Sequence, residues 1–556
     1  MESFGEDLET LRRVPLAEGH VARMRAIGSE RAYSAGETVL KVGQPLDRFI
    51  YIIEGEIEPV DSFSGQRLFN AVLGPTQFIG DIGFLSGAAV TTALRSTMPT
   101  RTLELSRPDM LELMANVPEL SDHVLTVFAA RRRRMFEARA SAIKVIGADR
   151  DPRIQACESF LARNRIPFVS FDLDDKGELA VESCRLTGHS PGVILGKDHR
   201  LDDPSPRSLA RELHLDLDVC ERTIYDLVIV GTGPSGVAAA VYAGSEGLCA
   251  LAIEDTAIGG QAGTSSRIEN YLGFPTGISG TDLVYRGQVQ AMKFGTRFAM
   301  PRRAQSISRR EDGVYQIGLD GGETVSALAV LIATGVRYRR LPLDRLAEFE
   351  GAGVFYAATD MESRFCRNTE AVVVGGGNSA GQAAMYLCRT AKHVHVIVRG
   401  ESLASSMSDY LRRRLEADPA VTIHYRSAVS ALEGEVHLEA VVVSSPDDEL
   451  KIPARALFIM IGAVPNTDWL GETVETDQCG FVKTGPAVGR SHLFETSAEG
   501  IYAVGDVRAG SVKRVASAVG EGSVVVSRIW EYVEAAGRTE REVEQVPDPA
   551  SNARLA

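Results

Sequence analysis

The chain has 556 residues, 44% hydrophobic and 24% charged, with a formal net charge of −14. At roughly 100–200 residues per domain, that length asks for about three or four domains. The acidic balance argues against a nucleic-acid partner, because affinity for a phosphate backbone comes from clustered Lys and Arg. No apolar run approaches the ~18 residues that span a bilayer, and the acidic start MESFGEDLET lacks a secretory apolar region. A soluble, cytoplasmic protein without a membrane partner is expected. The cysteines are Cys157, Cys184, Cys220, Cys249, Cys366, Cys388 and Cys479, and no two lie within three residues of each other. There is thus no CxxC redox pair and no zinc-ligand spacing, no metal site is expected, and reduced thiols fit the pattern.

The first 140 residues open with an amphipathic stretch (Leu11, Val14, Leu16, Val21, Met24). Short β-rich segments follow, punctuated by Gly36, Gly43 and Gly55, and then GPTQFIGDIGFLSG at 74–87. That pattern predicts a compact barrel or jelly roll. An apolar helix then runs into Arg131–Arg134, read as a solvated helix end where cations suit the dipole, rather than as a nucleic-acid patch. The glycine pattern, IIEGEI and FIGDIGFLSG together resemble the cyclic-nucleotide-binding domain family, over about residues 5–140. The resemblance implies a cassette carboxylate on a ribose hydroxyl and an Arg on the cyclic phosphate. Here Asp81 replaces the usual Glu, and AAVTTALR places Ala89 and Val90 where the Arg is expected, with nothing cationic before Arg95. A phosphate without that fork loses its strongest charge-assisted contact. A ligand-free scaffold or docking module is the favoured reading, and cyclic-nucleotide sensing the alternative.

Residues 141–216 read as a small α/β unit. IKVIGA is a strand, PRIQACESFLARN a helix with Ile154, Cys157, Phe160 and Leu161 at helical spacing, and PFVSFDL a strand. SPGVILGKDHRL gives two short strands and SPRSLARELHL a helix. This order resembles the thioredoxin or glutaredoxin fold, with Ser190-Pro191 at that family's cis-proline. The family's CxxC position reads ADRDPR, so the unit is expected to be thioredoxin-like in shape without redox chemistry. Cys157 is expected to be packed.

Residues 222–540 carry two dinucleotide fingerprints. The first is an apolar strand, then Gly231-x-Gly233-Pro234-Ser235-Gly236, a helix, and the strand CALAIED. Its glycines allow a tight turn and bring a pyrophosphate to a helix N-terminus. Glu254, 18 residues after Gly236, is placed to accept from a ribose hydroxyl. The second copy is a strand, then Gly375-x-Gly377-Asn378-Ser379-Ala380, a helix and a strand that ends at Arg399 instead of an acidic residue. An Arg there can pair with a 2′-phosphate, which favours NADPH and leaves NADH possible.

GTGPSG, IGGQAGTSSRIENYLGFPTGISG, LIATG, VVVGGGNSA and GIYAVGDVRAGSVKRVASAVGEG resemble the low-molecular-weight thioredoxin reductase family over more than 300 residues. The resemblance implies two Rossmann-type domains, the second inserted into the first, FAD as cofactor and a homodimer. By its motifs Gly259, Gly260, Gln261, Asn270 and Tyr271 wrap the flavin, Gly505 and Asp506 reach the ribityl or phosphate region, and Arg514, Val515 and Ala516 approach the ring. The departure is the dithiol. Counting back from Gly375 without a gap, Thr359 and Glu362 stand where the family's cysteines would be, and Cys366 is the remaining thiol nearby. A flavin passes two electrons to an adjacent disulfide only when both sulfurs are present. No other side chain is assigned a catalytic role, because hydride transfer needs no protein acid or base.

The expected organisation is a cyclic-nucleotide-binding-like barrel (1–140), a thioredoxin-like domain without CxxC (141–216), an FAD domain in two parts (217–342 and 455–540), an inserted NAD(P) domain (343–454) and a tail (541–556). The expected activity is NADPH oxidation through FAD toward an unassigned small-molecule or protein acceptor. A flavin-based redox or nucleotide sensor is the alternative.

Overall fold

The glycine-punctuated segments at the start of the chain form the antiparallel strands that their spacing predicts. The computed structural model describes residues 15–536 apart from 63, 69–71, 138–140, 148–150, 173–190, 197–198, 216–218, 220–222, 265–267, 269–270, 351–352, 357, 359–362, 364–365, 405, 436 and 447. Helix α1 (Glu18–Ile27) precedes β1 (Ser29–Tyr33), β2 (Thr38–Leu40), β3 (Arg48–Glu54), β4 (Ile57–Val60), β5 (Phe78–Ile79), β6 (Ala93–Ser96) and β7 (Thr100–Ser106). They form two sheets, ordered β1-β7-β3-β5 and β2-β6-β4. At the end of β3, Gly55 has φ +92°, and a Cβ there would lie 2.3 Å from Thr100 Oγ1, so the turn accepts only glycine. Helices α2 (Arg107–Asn116) and α3 (Pro118–Glu137) follow. Phe128 of α3 lies 6.2 Å from Phe49 and 5.9 Å from Phe84, ring centre to ring centre, and burying each ring is worth about 1.5–3 kcal/mol.

The next unit comprises β8 (Ile143–Gly147), α4 (Pro152–Arg163), β9 (Val169–Asp172), β10 (Gly192–Leu195), β11 (His199–Leu201) and α5 (Pro206–Glu212). Its sheet is ordered β11-β10-β8-β9, with β8 and β9 parallel and the other pairs antiparallel. Ile154, Cys157, Phe160 and Leu161 of α4 pack on Val145 and Val193, as the helical spacing requires. Burial pushes the Cys157 thiol up to about 11, in keeping with a packing role. Ser190 lies outside the described residues, as do Cys184, Cys220 and the tail from 541.

The remaining strands divide between two sheets. β12 (Ile224–Val230), helix α6 (Pro234–Ser245), β13 (Ala250–Ile253), helix α7 (Gly280–Lys293), β14 (Arg297–Ala299), β15 (Ala304–Arg309), β16 (Tyr315–Leu319) and β17 (Thr324–Ile332) run in order. The first sheet reads β14-β13-β12-β17-β16-β15. The chain leaves it through β18 (Val336–Tyr338). It then builds β19 (Val354–Phe355), β20 (Glu370–Val374), α8 (Asn378–Leu387), β21 (His393–Ile397), α9 (Asp409–Ala417), β22 (Val421–His424), β23 (Ala428–Glu433), β24 (Ala440–Ser444), β25 (Glu449–Ile452) and β26 (Ala454–Ile459). It returns through β27 (Ala463–Pro465), antiparallel to β18, and β28 (Ile501–Ala503) then joins β17 before the last helix, α10 (Val515–Ala535).

The inserted sheet is parallel and ordered β19-β26-β20-β21-β22. This moves one expected boundary. β26 hydrogen-bonds between β19 and β20, with Val374 opposite Ile459, so the inserted domain runs through Ile459 and does not end at 454. Among the described residues no helix is long and apolar enough to cross a membrane.

Helix α7 touches three units. Its Tyr285, Val289 and Met292 pack against the barrel core. Its Asp282 pairs with Arg165, which follows α4 and lies 5.2 Å over the Tyr285 ring. Thr281 Oγ1 donates to Gly263 O at 2.6 Å, in the loop after β13.

Candidate functional site

The first fingerprint turns from β12 into α6 through residues that crowd each other. Gly231 has φ +97°, and a Cβ there would lie 2.5 Å from Ala333 O. A Cβ on Gly236 would lie 1.9 Å from Gly231 O, so this glycine seats the helix on the turn rather than touching a ligand. Gly233, by contrast, faces open space. It is the N-cap of α6, with no side chain capping the helix and Pro234 in its first turn. Helix N–H groups without internal partners are thereby offered to an anion.

A cavity of about 570 Å³ opens at this turn. Its wall brings together Gly231, Gly233, Pro234, Ser235, Glu254, Gly260, Gln261, Asp506, Arg514 and Val515 from the expected set. Glu254 is buried and already accepts from the Thr232 N–H at 2.9 Å and from Thr232 Oγ1 at 2.7 Å. Burial, reinforced by the neighbouring Asp255, raises its pKa above the usual carboxylate range. Burial also raises Asp506. Gln261 donates to Val336 O at 2.5 Å, which ties this loop to β18.

The other expected residues stand behind the wall. Gly259 (φ +114°) lets α7 approach, since a Cβ would meet Val284 at 3.1 Å. Gly505 (φ +73°) sits against Ser235 and donates its N–H to Glu521 at 2.7 Å. Tyr271 packs on Phe274 with ring centres 6.1 Å apart. Ala516 is exposed in the first turn of α10, and Asn270 lies outside the described residues.

Sequence reasoning missed Arg302, Arg303, Lys513 and Ala518 in the wall, and Glu521 and Gly522 behind it. The GEG triplet after the flavin motif was the available signal for the last two, because a Cβ on Gly522 would lie 2.1 Å from Ser235 O.

The second fingerprint repeats this geometry. Gly375 has φ +144° with a would-be Cβ 2.3 Å from Met460 O, and Ala380 is buried beneath it. Gly377 caps α8 without a side-chain bond. Asn378 is not turned toward a ligand alone, because its Oδ1 accepts from the Ser408 N–H at 2.8 Å. Ser379 and Arg399 are exposed, and Arg399 has no ion-pair partner among the described residues. Thr359 and Glu362 lie outside the described residues. Cys366 is fully buried among Val373, Leu387 and Phe458, and burial pushes its thiol up to about 12. That is a packed thiol, the opposite of a catalytic one.

The barrel's cassette is engaged from inside the molecule. Asp81 Oδ1 accepts from the Gly83 N–H at 2.8 Å, and Oδ2 pairs with Arg132 Nε at 2.7 Å. Arg131 donates to Gly80 O at 3.0 Å and covers the Phe78 ring. The expected solvated end at Arg131–Arg134 is therefore corrected for its first two residues, because Asp81 and the cassette backbone draw them inward. The Ala89 N–H, in the segment without its Arg, donates to Leu213 O, just after α5, at 2.9 Å. Arg95 is committed to Glu58 at 2.6 Å.

Residues 225–522 match the family model described as pyridine nucleotide-disulphide oxidoreductase, and residues 30–117 match the cyclic nucleotide-binding domain. The first match covers more than half of the chain, which belongs to the pyridine nucleotide-disulphide oxidoreductase family. Within it the chain is thioredoxin reductase-like. It is 33% identical over 314 residues to the thioredoxin reductase of Treponema pallidum (strain Nichols), covering 56% of this chain and 98% of that protein. It is 32% identical over 317 residues to the Bacillus subtilis (strain 168) enzyme, at 56% and 96% coverage. Against the NADPH-dependent thioredoxin reductase 3 of Arabidopsis thaliana the figures are 31% over 319 residues, 56% and 58%. The solved Lactococcus lactis thioredoxin reductase (FR conformation) aligns at TM-score 0.49 and 27% identity, covering 56% of this chain and 99% of that one.

Proposed function

We propose that the reductase half binds FAD in the cavity at the β12–α6 turn and NADPH at the 375–380 turn, and delivers electrons to an acceptor other than an internal dithiol. The observation that carries this is the uncapped α6 N-terminus opening on a cavity also lined by Gly260, Asp506 and Arg514. Gly233 and the first N–H groups of α6 would hold the diphosphate, Glu254 a ribose hydroxyl, and Arg514 and Val515 the flavin end. Bound FAD would supply hydride acceptance from the reduced nicotinamide. The chain's own task is to fix the approach of the two rings and exclude water, with Gln261 bracing the loop against β18. Arg399 would pair with the 2′-phosphate of NADPH, and NADH would bind without that contact. The sequence has no CxxC, so thioredoxin is a poor acceptor and a small molecule or protein takes the electrons.

In this reading the barrel is a docking module and takes no cyclic nucleotide, because Arg132 already holds Asp81 and Leu213 holds Ala89. A homodimer fits the exposed Tyr242, Val524 and Trp530 on the paired helices α6 and α10, and reduced thiols fit the cytoplasm. The test is the visible spectrum of the purified protein, followed without oxygen on separate addition of NADPH and NADH. Rapid bleaching with steady turnover on an added quinone or disulfide supports the enzyme. A flavin that bleaches without turnover on any acceptor supports the second reading, a redox sensor, which the contacts of α7 with three units favour. A flavin that stays oxidised with both nucleotides refutes the proposal.

A further inference from the structure

Three guanidinium groups in the cavity wall, on Arg163, Arg303 and Arg514, have no carboxylate partner among the described residues. Two of them belong to the dinucleotide-binding domain itself. Arg163 does not: it is the last residue of α4, in the thioredoxin-like unit, and it is half-buried. A partly desolvated guanidinium is costly unless an anion meets it, and its planar fork suits the paired oxygens of a phosphate.

Its position is fixed by its neighbours. Asn164 Nδ2 donates to Phe160 O at 2.8 Å, and Arg165 (φ +52°) turns the chain so that its own guanidinium pairs with Asp282 of α7. The same first turn of α7 holds the loop after β13 through Thr281 and Gly263, and that loop lines the cavity at Gly260. The end of α4 is thus anchored to the cavity wall by an ion pair and one intervening helical turn. The N-terminus of α6, which lines the same cavity, offers its N–H groups to the same kind of anion.

We propose that Arg163 is a dinucleotide-binding residue supplied by the fused thioredoxin-like module, and that it contacts the diphosphate of FAD. The assignment rests on the FAD reading above. It gives the module a role that needs no cysteine: it completes the cofactor site of the neighbouring domain. Retention of flavin then depends on the module being docked.

The test uses the full-length protein stripped of flavin, titrated with FAD by fluorescence. Arg163→Ala should raise the Kd for FAD roughly tenfold or more, the loss expected for one charge-assisted contact. ADP, which carries the diphosphate without the flavin, should lose competitive strength by a similar factor. Arg163→Lys should recover part of both. A smaller rise in the FAD Kd, or a loss for FAD without one for ADP, overturns the assignment while leaving the flavin reading intact. A wild-type protein that binds no FAD removes both. Should Arg163→Ala fold poorly, Arg163→Met keeps the apolar stem, and its FAD affinity should also respond less to added salt than that of wild type. An equal salt response overturns the assignment.

Discussion

Burial pushes the Cys366 thiol up to about 12 and closes it off from solvent, so at neutral pH it is a protonated, packed thiol and no nucleophile. Exposed Cys479 is the contrast. In the native protein, alkylation at neutral pH should label Cys479 and spare Cys366, as mass spectrometry of the digested product would show. Ready labelling of Cys366 before unfolding would disprove its burial. Arg399 is the opposite kind of residue, exposed just past a strand end and without an ion-pair partner among the described residues. Arg399→Ala should weaken NADPH roughly tenfold while leaving NADH almost unchanged, and steady-state KM values for the two cofactors measure the difference. Equal losses would reduce Arg399 to a solvated strand end. Residues such as Gly231 and Gly375 were legible in the sequence because their constraint is local, a turn that admits no Cβ. Arg132 was not, because its partner Asp81 is 51 residues away and a run of arginines reads as surface until the cassette is folded against it.

The helices and strands show the same divide between local and distant causes. Strand–glycine–helix order identified β12, α6, β20 and α8 before any pairing was known, since each carries its own periodicity and turn chemistry. The expected boundary at 454 cut β26 off from its sheet after one residue, because an apolar run suits the centre of any buried parallel sheet and only its register with β20 says which sheet it joins. Helix α10 could be placed by its flavin motif, yet its packing glycine could not. Gly522 lets α10 lie directly on the first turn of α6, where a methyl group would press on the Ser235 carbonyl. Gly522→Ala should destabilise the protein by about 1–3 kcal/mol and release flavin at a lower temperature, whereas Ala535→Ser, exposed at the end of the same helix, should do neither. Thermal unfolding followed by flavin fluorescence separates the two. Equal midpoints for both variants would show that the helices have room to spare.

At the scale of the molecule, the fused modules are held to the reductase half by ion pairs and by one shared helix. Arg302 and Arg207 hold the Glu323 carboxyl down at about 2, and Arg207 lies on α5, in the unit that precedes the dinucleotide-binding domains. A lowered pKa stabilises the charged form. Its contribution is therefore complete above the ordinary value near 4.5 and is lost as the pH falls through about 2. The gap in melting temperature between wild type and Glu323→Gln should hold above about pH 5 and close toward about pH 2. A gap that does not narrow across that range would detach Glu323 from the acid response. Helix α7 has a different consequence. Its Tyr285, Val289 and Met292 are apolar because the barrel covers them. Cut away residues 1–218, and they become a sticky stripe on the surface of the reductase half. The shortened chain should aggregate, by light scattering, unless those three positions are made polar; a monodisperse shortened chain would contradict this. Such a helix works as a ratchet. Once its outer face had lost its polar groups, the barrel could not be discarded without rewriting the helix, whether or not it still had a chemistry of its own.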